Sequence, residues 1–229
     1  MRSSHSFIPR ATFGRIALAM GWGISRAIHL ARGQASSDFP GRRPKLLSLA
    51  DAPRLVRDAD LLLFRRSGLV ARIGRGRHSH AAMAAWWGDQ IFLLEVTPRF
   101  GGRAVTLESQ VRRYPGRIDL FWADPHGKFP HFDRAGAVRL MKQLAGTPYG
   151  YRVLCRLVLR RLPLLRLFLP PETEDDRPSD PPAICSQAVA WATRVGGAVD
   201  PVPLLADRLT EPADLARSIF YQYIGTFVP

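Results

Sequence analysis

The residues SHAAMAAWWGDQIFLLEVT, at positions 79–97, contain two strand candidates separated by a turn. Ser79–Trp86 and Ile91–Thr97 are mostly apolar, and Trp87-Gly88-Asp89-Gln90 between them is typical of a hairpin turn. A hairpin joins antiparallel strands. With strands in the middle of the chain and helices toward each end, the sequence predicts an α+β domain rather than an alternating parallel sheet.

The flanking segments supply the other predicted elements. Short apolar or alternating runs predict strands, and a turn residue or proline after an amphipathic run predicts the end of a helix. The predicted elements are strands at Asp60–Phe64 and Ile118–Trp122, a helix at Phe132–Ala145, a helix that begins near Cys185, and a short closing helix from Glu211 to Ala216 before a strand-like end.

The length of 229 residues predicts one well-cored domain with an extension. We assign residues 1–50 to an N-terminal extension and residues 51–229 to the domain. Residues 12–32 favour an amphipathic helix over an export signal, because Arg26 and His29 interrupt the apolar run. A linker follows at 33–45.

The net charge is +14, from 33 Lys and Arg against 19 Asp and Glu. Such a surface suits polyanions, whether nucleic acid, anionic lipid or an acidic cell envelope. An arginine-rich composition also produces this charge without a dedicated partner. Nucleic acid is the least favoured partner, since the sequence shows few basic residues interleaved with aromatic ones. The sequence contains no run of eighteen apolar residues, so it predicts no conventional membrane-spanning helix.

Residues 149–169, YGYRVLCRLVLRRLPLLRLFL, are basic and apolar together. Arg152, Arg156 and Arg160 fall on one side of a predicted helix, which favours a core-packing helix with a solvated basic stripe. The alternative is contact with a membrane surface through residues 152–169. A proline-rich acidic loop follows at 170–182.

Cys185 stands at the start of a predicted helix, directly after Pro181-Pro182-Ala183-Ile184. A catalytic cysteine must lower its pKa from roughly 8.5, and a helix start or a nearby imidazole can provide that. The free first-turn N–H of Cys185 would also serve as an oxyanion donor. Cys155, the other cysteine, lies among leucines and is interpreted as a core residue.

His80 and Glu95 are the predicted partners of Cys185. With a two-residue turn at Gly88-Asp89, paired positions sum to 177, so Ala82 lies opposite Glu95. His80 is then diagonally adjacent on the same face, roughly 7–8 Å away between backbones. His78 shares this face but lies one step farther, which leaves it as the second choice for the base.

The order of these motifs resembles the circularly permuted branch of the NlpC/P60 superfamily, which are papain-like, YiiX-like thiol hydrolases. The resemblance rests on DLLLF (60–64), SHAAM (79–83), LEV (94–96), GTPYG (146–150) and ICSQ (184–187), and extends over about residues 55–225. It implies a papain-like antiparallel sheet packed against the cysteine helix. The sequence departs from the pattern where Ala59 replaces the usual glycine before the opening acid, and where an insert lies between Tyr149 and Cys185.

The resemblance also implies roles for site residues. Cys185 would be the nucleophile, His80 the general base and Glu95 the residue that orients the base. Tyr149 would line the cleft, and Ser79 and Ser186 are the other expected substrate contacts. This chemistry needs no cofactor and no metal.

Three classes of function follow. The first is a cysteine peptidase or amidase that cleaves stem-peptide amides of peptidoglycan, with peptidoglycan or another anionic envelope component as partner and the cell envelope or a phage particle as location. The second is a lipid acyl or ester hydrolase, or an acyltransferase, at a membrane surface. The third is a non-catalytic assembly module, such as a phage tail component.

Overall fold

The fold is a mixed α+β domain, and the computed structural model describes its residues 44–65, 76–150, 184–203 and 205–228. Seven strands lie in these ranges: β1 (Leu46–Leu47), β2 (Leu61–Arg65), β3 (His78–Trp87), β4 (Gln90–Thr97), β5 (Gly101–Thr106), β6 (Arg117–Ala123) and β7 (Tyr221–Phe227). The α-helices are α1 (Ala52–Leu55), α2 (Leu107–Arg113), α3 (Arg134–Gln143), α4 (Cys185–Trp191) and α5 (Pro212–Arg217), and α4 continues as a π-helical turn over Ala192–Gly196.

The predicted hairpin is present. Trp87 pairs with Gln90 and Met83 with Leu94, so facing positions sum to 177 as the sequence predicts. Gly88 lies at φ 62°, a left-handed conformation that glycine adopts without a steric penalty. The two-residue turn therefore sets the register of β3 and β4, and with it the relative positions of His80 and Glu95.

All seven strands form one sheet in the order β1-β7-β6-β2-β3-β4-β5. Neighbouring pairs are antiparallel except β1 with β7, where Leu46 lies beside Thr226. Because Leu46 and Leu47 belong to this sheet, the described domain includes residues before position 51, where the sequence predicts its start.

Each face of the sheet carries its own core. Alternate side chains point to opposite faces, so Leu61 and Leu63 enter one cluster while Leu62 and Phe64 enter the other. The first cluster includes Cys185 and is covered by α3, α4 and α5, whereas the second lies under α1 and α2. The cysteine helix thus packs against the sheet, as expected for the predicted α+β arrangement.

Asp60, directly before β2, anchors the chain where this strand begins. Its carboxylate is fully buried and accepts from the N–H of Ala123 at 3.0 Å and from Arg134 Nη1 at 3.1 Å. Burial raises the pKa of Asp60 and outweighs these donors, which act to lower it. Ala59, directly before Asp60, has φ 62°, a left-handed conformation that residues other than glycine rarely adopt.

A loop after α3 docks on the start of β5 and delivers Tyr149 to the first core cluster. The N–H of Gly102 donates to Thr147 O at 2.8 Å, and the N–H of Gly146 donates to Gly102 O at 2.8 Å. A Cβ on Gly102 would lie 1.7 Å from Leu144 O. This close approach explains why glycine stands at position 102.

Candidate active site

Three elements bring Cys185, His80 and Glu95 together: the start of α4, the start of β3, and β4. His80 Nε2 lies 2.6 Å from Glu95 Oε2. The thiol of Cys185 is hydrogen-bonded to the His80 side chain. Since Nε2 faces Glu95, the other ring nitrogen, Nδ1, is the one available to the sulfur. The imidazole therefore links a thiol to a carboxylate.

The end of the β3–β4 ladder makes room for the sulfur. Pairing stops at Met83 with Leu94. The N–H of Ala84 donates across to Asp60 O on the β2 side, and alternate residues of a strand bond to opposite neighbours. The N–H of Ala81 therefore points to the β4 side, where it donates to the Cys185 sulfur instead of to a strand.

The sulfur lies in surroundings that favour the thiolate. Burial alone would raise the pKa of Cys185, but the His80 imidazolium and the N–H groups of Ala81 and Ser186 outweigh it and lower that pKa below its ordinary value. Burial would likewise lower the pKa of His80, yet the Cys185 thiolate and the Glu95 carboxylate raise it to about 10. The arrangement stabilises a thiolate–imidazolium pair.

Glu95 has more partners than the sequence predicted. Only 2% of it is exposed, and Oε1 accepts from Arg103 Nε at 2.8 Å, Arg103 Nη2 at 2.6 Å and Gln110 Nε2 at 3.1 Å. Burial raises the pKa of Glu95, but the bonds from His80 and Arg103 outweigh it and lower that pKa. The carboxylate therefore stays ionised beside the imidazole.

Sequence reasoning missed Arg103 and Gln110 for different reasons. Arg103 is the direct cross-strand neighbour of Glu95 in the β4–β5 pair, so a predicted third strand in register with β4 would have found it. Gln110 contacts Glu95 from α2. The spacing of residues in the sequence does not show which strand residue a helix residue will contact.

His78 belongs to a separate buried network. Its Nε2 lies 2.8 Å from Asp119 Oδ2, and Arg65 is ion-paired with the same oxygen. Thr226 Oγ1 donates to Asp119 Oδ1 at 2.6 Å and lies 2.7 Å from the Tyr223 hydroxyl. The register of β2 and β3 shifts between Phe64 and Arg65, which separates the environments of the two histidines. His80, not His78, contacts Cys185 and Glu95.

Of the predicted substrate-binding residues, Ser79 and Ser186 are the chain neighbours of His80 and Cys185. Ser79 is partly exposed, and its hydroxyl donates to Phe64 O at 3.3 Å. The hydroxyl of Ser186 is buried and donates to Thr210 O at 2.7 Å, so the group of Ser186 that reaches the sulfur is its backbone N–H. Tyr149 is partly buried against the first core cluster. Their roles toward a substrate stay predictions.

Several sequence predictions fall outside the described residues. They are the amphipathic helix at 12–32, the basic segment at 152–169 with Cys155, and the acidic loop at 170–182.

The described residues contain neither a cluster of metal ligands nor a membrane-spanning helix. No group of three or more His, Cys, Asp or Glu side chains there is arranged to hold a metal ion. Within the triad itself, both nitrogens of His80 and both oxygens of Glu95 are already engaged. None of the helices in the described ranges has the length and apolar character needed to cross a membrane.

One solved structure with a similar fold is the metalloprotein YiiX from Escherichia coli O157:H7. The similarity has a TM-score of 0.52 with 11% sequence identity, and it covers 76% of this chain and 99% of that one. No protein-family model matches this chain. No curated protein matches it either. YiiX is called a metalloprotein, but the described residues of this chain offer no fitting ligand set. At this identity the likeness concerns the fold alone, and the chain has a YiiX-like α+β fold.

Proposed function

We propose that this chain is a thiol hydrolase in which Cys185 is the nucleophile, His80 the acid and base, and Glu95 the residue that orients His80. One observation carries the proposal: the His80 ring contacts the Cys185 thiol and the Glu95 carboxylate at the same time. A structural cysteine gains nothing from an imidazole that lowers its pKa, whereas a nucleophile requires it. The YiiX-like fold is compatible with hydrolase chemistry.

Acylation begins with the Cys185 thiolate attacking the carbonyl carbon of the substrate. A C–S bond forms, and the C=O π pair moves to oxygen, which becomes an oxyanion. The first-turn N–H of Cys185 has no carbonyl partner inside the helix, because the first α4 hydrogen bond runs from Ala188 N to Ile184 O. That N–H is the donor we assign to the oxyanion.

Collapse of the tetrahedral intermediate breaks the bond to the leaving group. The His80 imidazolium gives its proton to the leaving amine, and a thioester on Cys185 remains. Neutral His80 then takes a proton from water as the water attacks the thioester. The C–S bond breaks, a carboxylic acid leaves, and the thiolate and imidazolium are restored. Glu95 stabilises the imidazolium throughout and keeps the ring in one orientation.

Stem-peptide amides of peptidoglycan are the substrate class we propose, with an envelope location. The family resemblance supports this class, and the +14 net charge suits an anionic wall. Hydrolysis or transfer of lipid acyl groups is the alternative within the same chemistry. A purely structural module is the alternative outside it.

Labelling with a thiol-reactive probe separates an enzyme from a scaffold. We expect fast modification of Cys185 near neutral pH and slow modification of Cys155, with the rate at Cys185 falling in His80→Ala. His78→Ala should retain more reactivity than His80→Ala, because only His80 contacts the sulfur. Equal and slow modification of both cysteines would refute the catalytic proposal.

Digestion of purified peptidoglycan, followed by mass analysis of the fragments, tests the substrate. Cleaved stem peptides should appear with the native chain and be absent with Cys185→Ser. Rapid labelling of Cys185 without any peptidoglycan cleavage would retain the thiol chemistry and reject this substrate.

A further inference from the structure

Arginines concentrate at the end of the sheet that carries His80. Arg65, on β2, pairs with His78 on one side and with Arg117 on the other, which brings the ends of β3, β2 and β6 together. The β4–β5 turn lies at this same end, because Glu95 contacts His80 and pairs with Arg103. Three described segments at this end, 76–80, 97–103 and 112–117, contain no Asp or Glu.

Some of these arginines are neutralised and some are not. Arg65 pairs with buried Asp119, Arg103 with buried Glu95, and Arg112 with Glu108. Arg77, Arg99, Arg113 and Arg117 are exposed, and within the described residues none of these four forms an ion pair with a carboxylate. Four positive charges therefore face solvent without an ion-pair partner among the carboxylates of the described residues.

An aromatic ring projects among these charges. Phe100, in the β4–β5 turn, is 55% exposed, and the guanidinium carbons of Arg99 and Arg103 lie 5.2 Å and 4.5 Å from its ring centre. We call Arg77, Arg99, Phe100, Arg113 and Arg117 the arginine rim. It crosses five strands, from β6 to β5, which at about 4.8 Å per strand is about 19 Å.

We propose that the arginine rim docks the protein on the surface of an anionic lipid bilayer, with Phe100 at the level of the headgroups. Guanidinium groups bind phosphates, and juxtaposed basic residues draw a protein to anionic lipid. An exposed aromatic ring among them can insert at the edge of the apolar acyl region of a bilayer, a contact that a hydrated polyanion does not offer. The rim lies at the end of the sheet where Cys185 meets His80, so docking would bring the thiol close to the bilayer.

Vesicle sedimentation tests this proposal without depending on catalysis. The full chain carrying Cys185→Ser is mixed at low ionic strength with vesicles of phosphatidylcholine alone or of phosphatidylcholine and phosphatidylglycerol in equal amounts. A triple variant, Arg99→Gln, Arg113→Gln and Arg117→Gln, removes three rim charges. Its matched control, Lys128→Gln, Arg139→Gln and Lys142→Gln, removes three exposed or half-exposed charges elsewhere on the domain.

Each arginine near an anionic surface increases partitioning onto vesicles by about fivefold. The variant with three rim substitutions should therefore partition about 100-fold more weakly onto the anionic vesicles. The control triple should lose only a few-fold, because charges remote from the surface are screened. Phe100→Ser should lose about tenfold, since it removes the apolar contact. Binding to neutral vesicles should be weak for every form.

Equal losses in the two triples would overturn the proposal, because binding would then follow overall charge. Unchanged partitioning in Phe100→Ser, together with loss of heparin binding in the rim triple, would assign the rim to a soluble polyanion instead. The same variants with Cys185 restored should label at the native rate, which reports an intact thiol site. A native chain that binds lipid but has an unreactive Cys185 would reject the proposed hydrolase and leave the rim proposal standing.

Discussion

Replacing Arg103 with methionine should weaken both the fold and the reactivity of Cys185, and the sizes of the two effects can be worked from the structure. Arg103 donates twice to Oε1 of a Glu95 that is 2% exposed. A hydrogen bond to a charged group is worth about 1.5–3 kcal/mol when buried. Since the Arg103 side chain is 32% exposed, solvent screening reduces the sum, and we expect a loss of about 2 kcal/mol.

The same loss predicts a shift in pH dependence. The pKa of Glu95 is lowered in the folded state, so its contribution to stability is present above the unfolded pKa and is lost as pH falls through the folded pKa. Without Arg103 the folded pKa rises toward the unfolded value, so this contribution becomes smaller and its loss is complete at a higher pH. At about 1.36 kcal/mol per unit, a loss of about 2 kcal/mol moves the pKa by about 1.5 units.

The assay is the rate of Cys185 alkylation measured across the acid range, with urea unfolding measured in parallel. A protonated Glu95 no longer supports the His80 imidazolium, so the acid limb of the alkylation profile should move up by as much as about 1.5 pH units in Arg103→Met. Arg103→Lys keeps the charge but loses the two-nitrogen geometry, and it should shift the limb less. Gln110→Leu removes a neutral donor at 3.1 Å and should shift it less again.

A fall in stability with an unmoved acid limb would refute this reasoning, because Arg103 would then support the fold without acting on the triad. Loss of alkylation at every pH, with stability unchanged, would also contradict it, since Arg103 would have to act on the sulfur directly.

Three further substitutions probe the surroundings of the site. His78→Leu leaves buried Asp119 without one donor and should lower stability by about 2 kcal/mol in urea unfolding. His78→Gln, which can still donate to Asp119, should recover much of this loss, and equal stabilities of the two variants would show that the bond is unimportant. Thr97→Val removes a buried hydroxyl that has no hydrogen-bond partner among the described residues, so the urea midpoint should rise by the equivalent of about 1 kcal/mol, and a clear fall would contradict this. Gly102→Ala places a Cβ against Leu144 O and should lower stability by more than about 2 kcal/mol, which thermal unfolding would show, whereas a neutral effect would mean that the loop moves freely.

The hairpin was predictable because its signals are local. Gly88-Asp89 fixes a two-residue turn, and the turn fixes which positions of β3 and β4 face each other. The contact between His80 and Glu95 follows from that register. The start of α4 at Cys185 was predictable for the same reason, since the prolines just before it mark a helix boundary in the sequence.

The partners of the buried carboxylates were not predictable in this way. Arg103, Gln110 and Asp119 reach the histidines and Glu95 across separate elements, and their positions depend on strand order. A single sequence contains no local signal for that order, because β6 lies beside β2 although more than fifty residues separate them. The different contacts of His78 and His80 likewise depend on a register shift between β2 and β3, and no turn residue in the sequence predicts that shift.

The site has room for the triad because β3 and β4 lack one pair of backbone hydrogen bonds that a continuous ladder would form. Continued in register, the β3–β4 ladder would pair Ala81 with Val96, and each such bond is worth about 0.5–1.5 kcal/mol. The ladder instead ends at Met83 with Leu94, and the N–H of Ala81 donates to the Cys185 sulfur. The N–H of Ala81, which in a continuous ladder would stabilise the sheet, here stabilises the thiolate of Cys185. The same separation of strands lets the His80 ring reach Glu95 from one side and the sulfur from the other, so a local loss of sheet pairing produces both the room for the triad and part of its electrostatics.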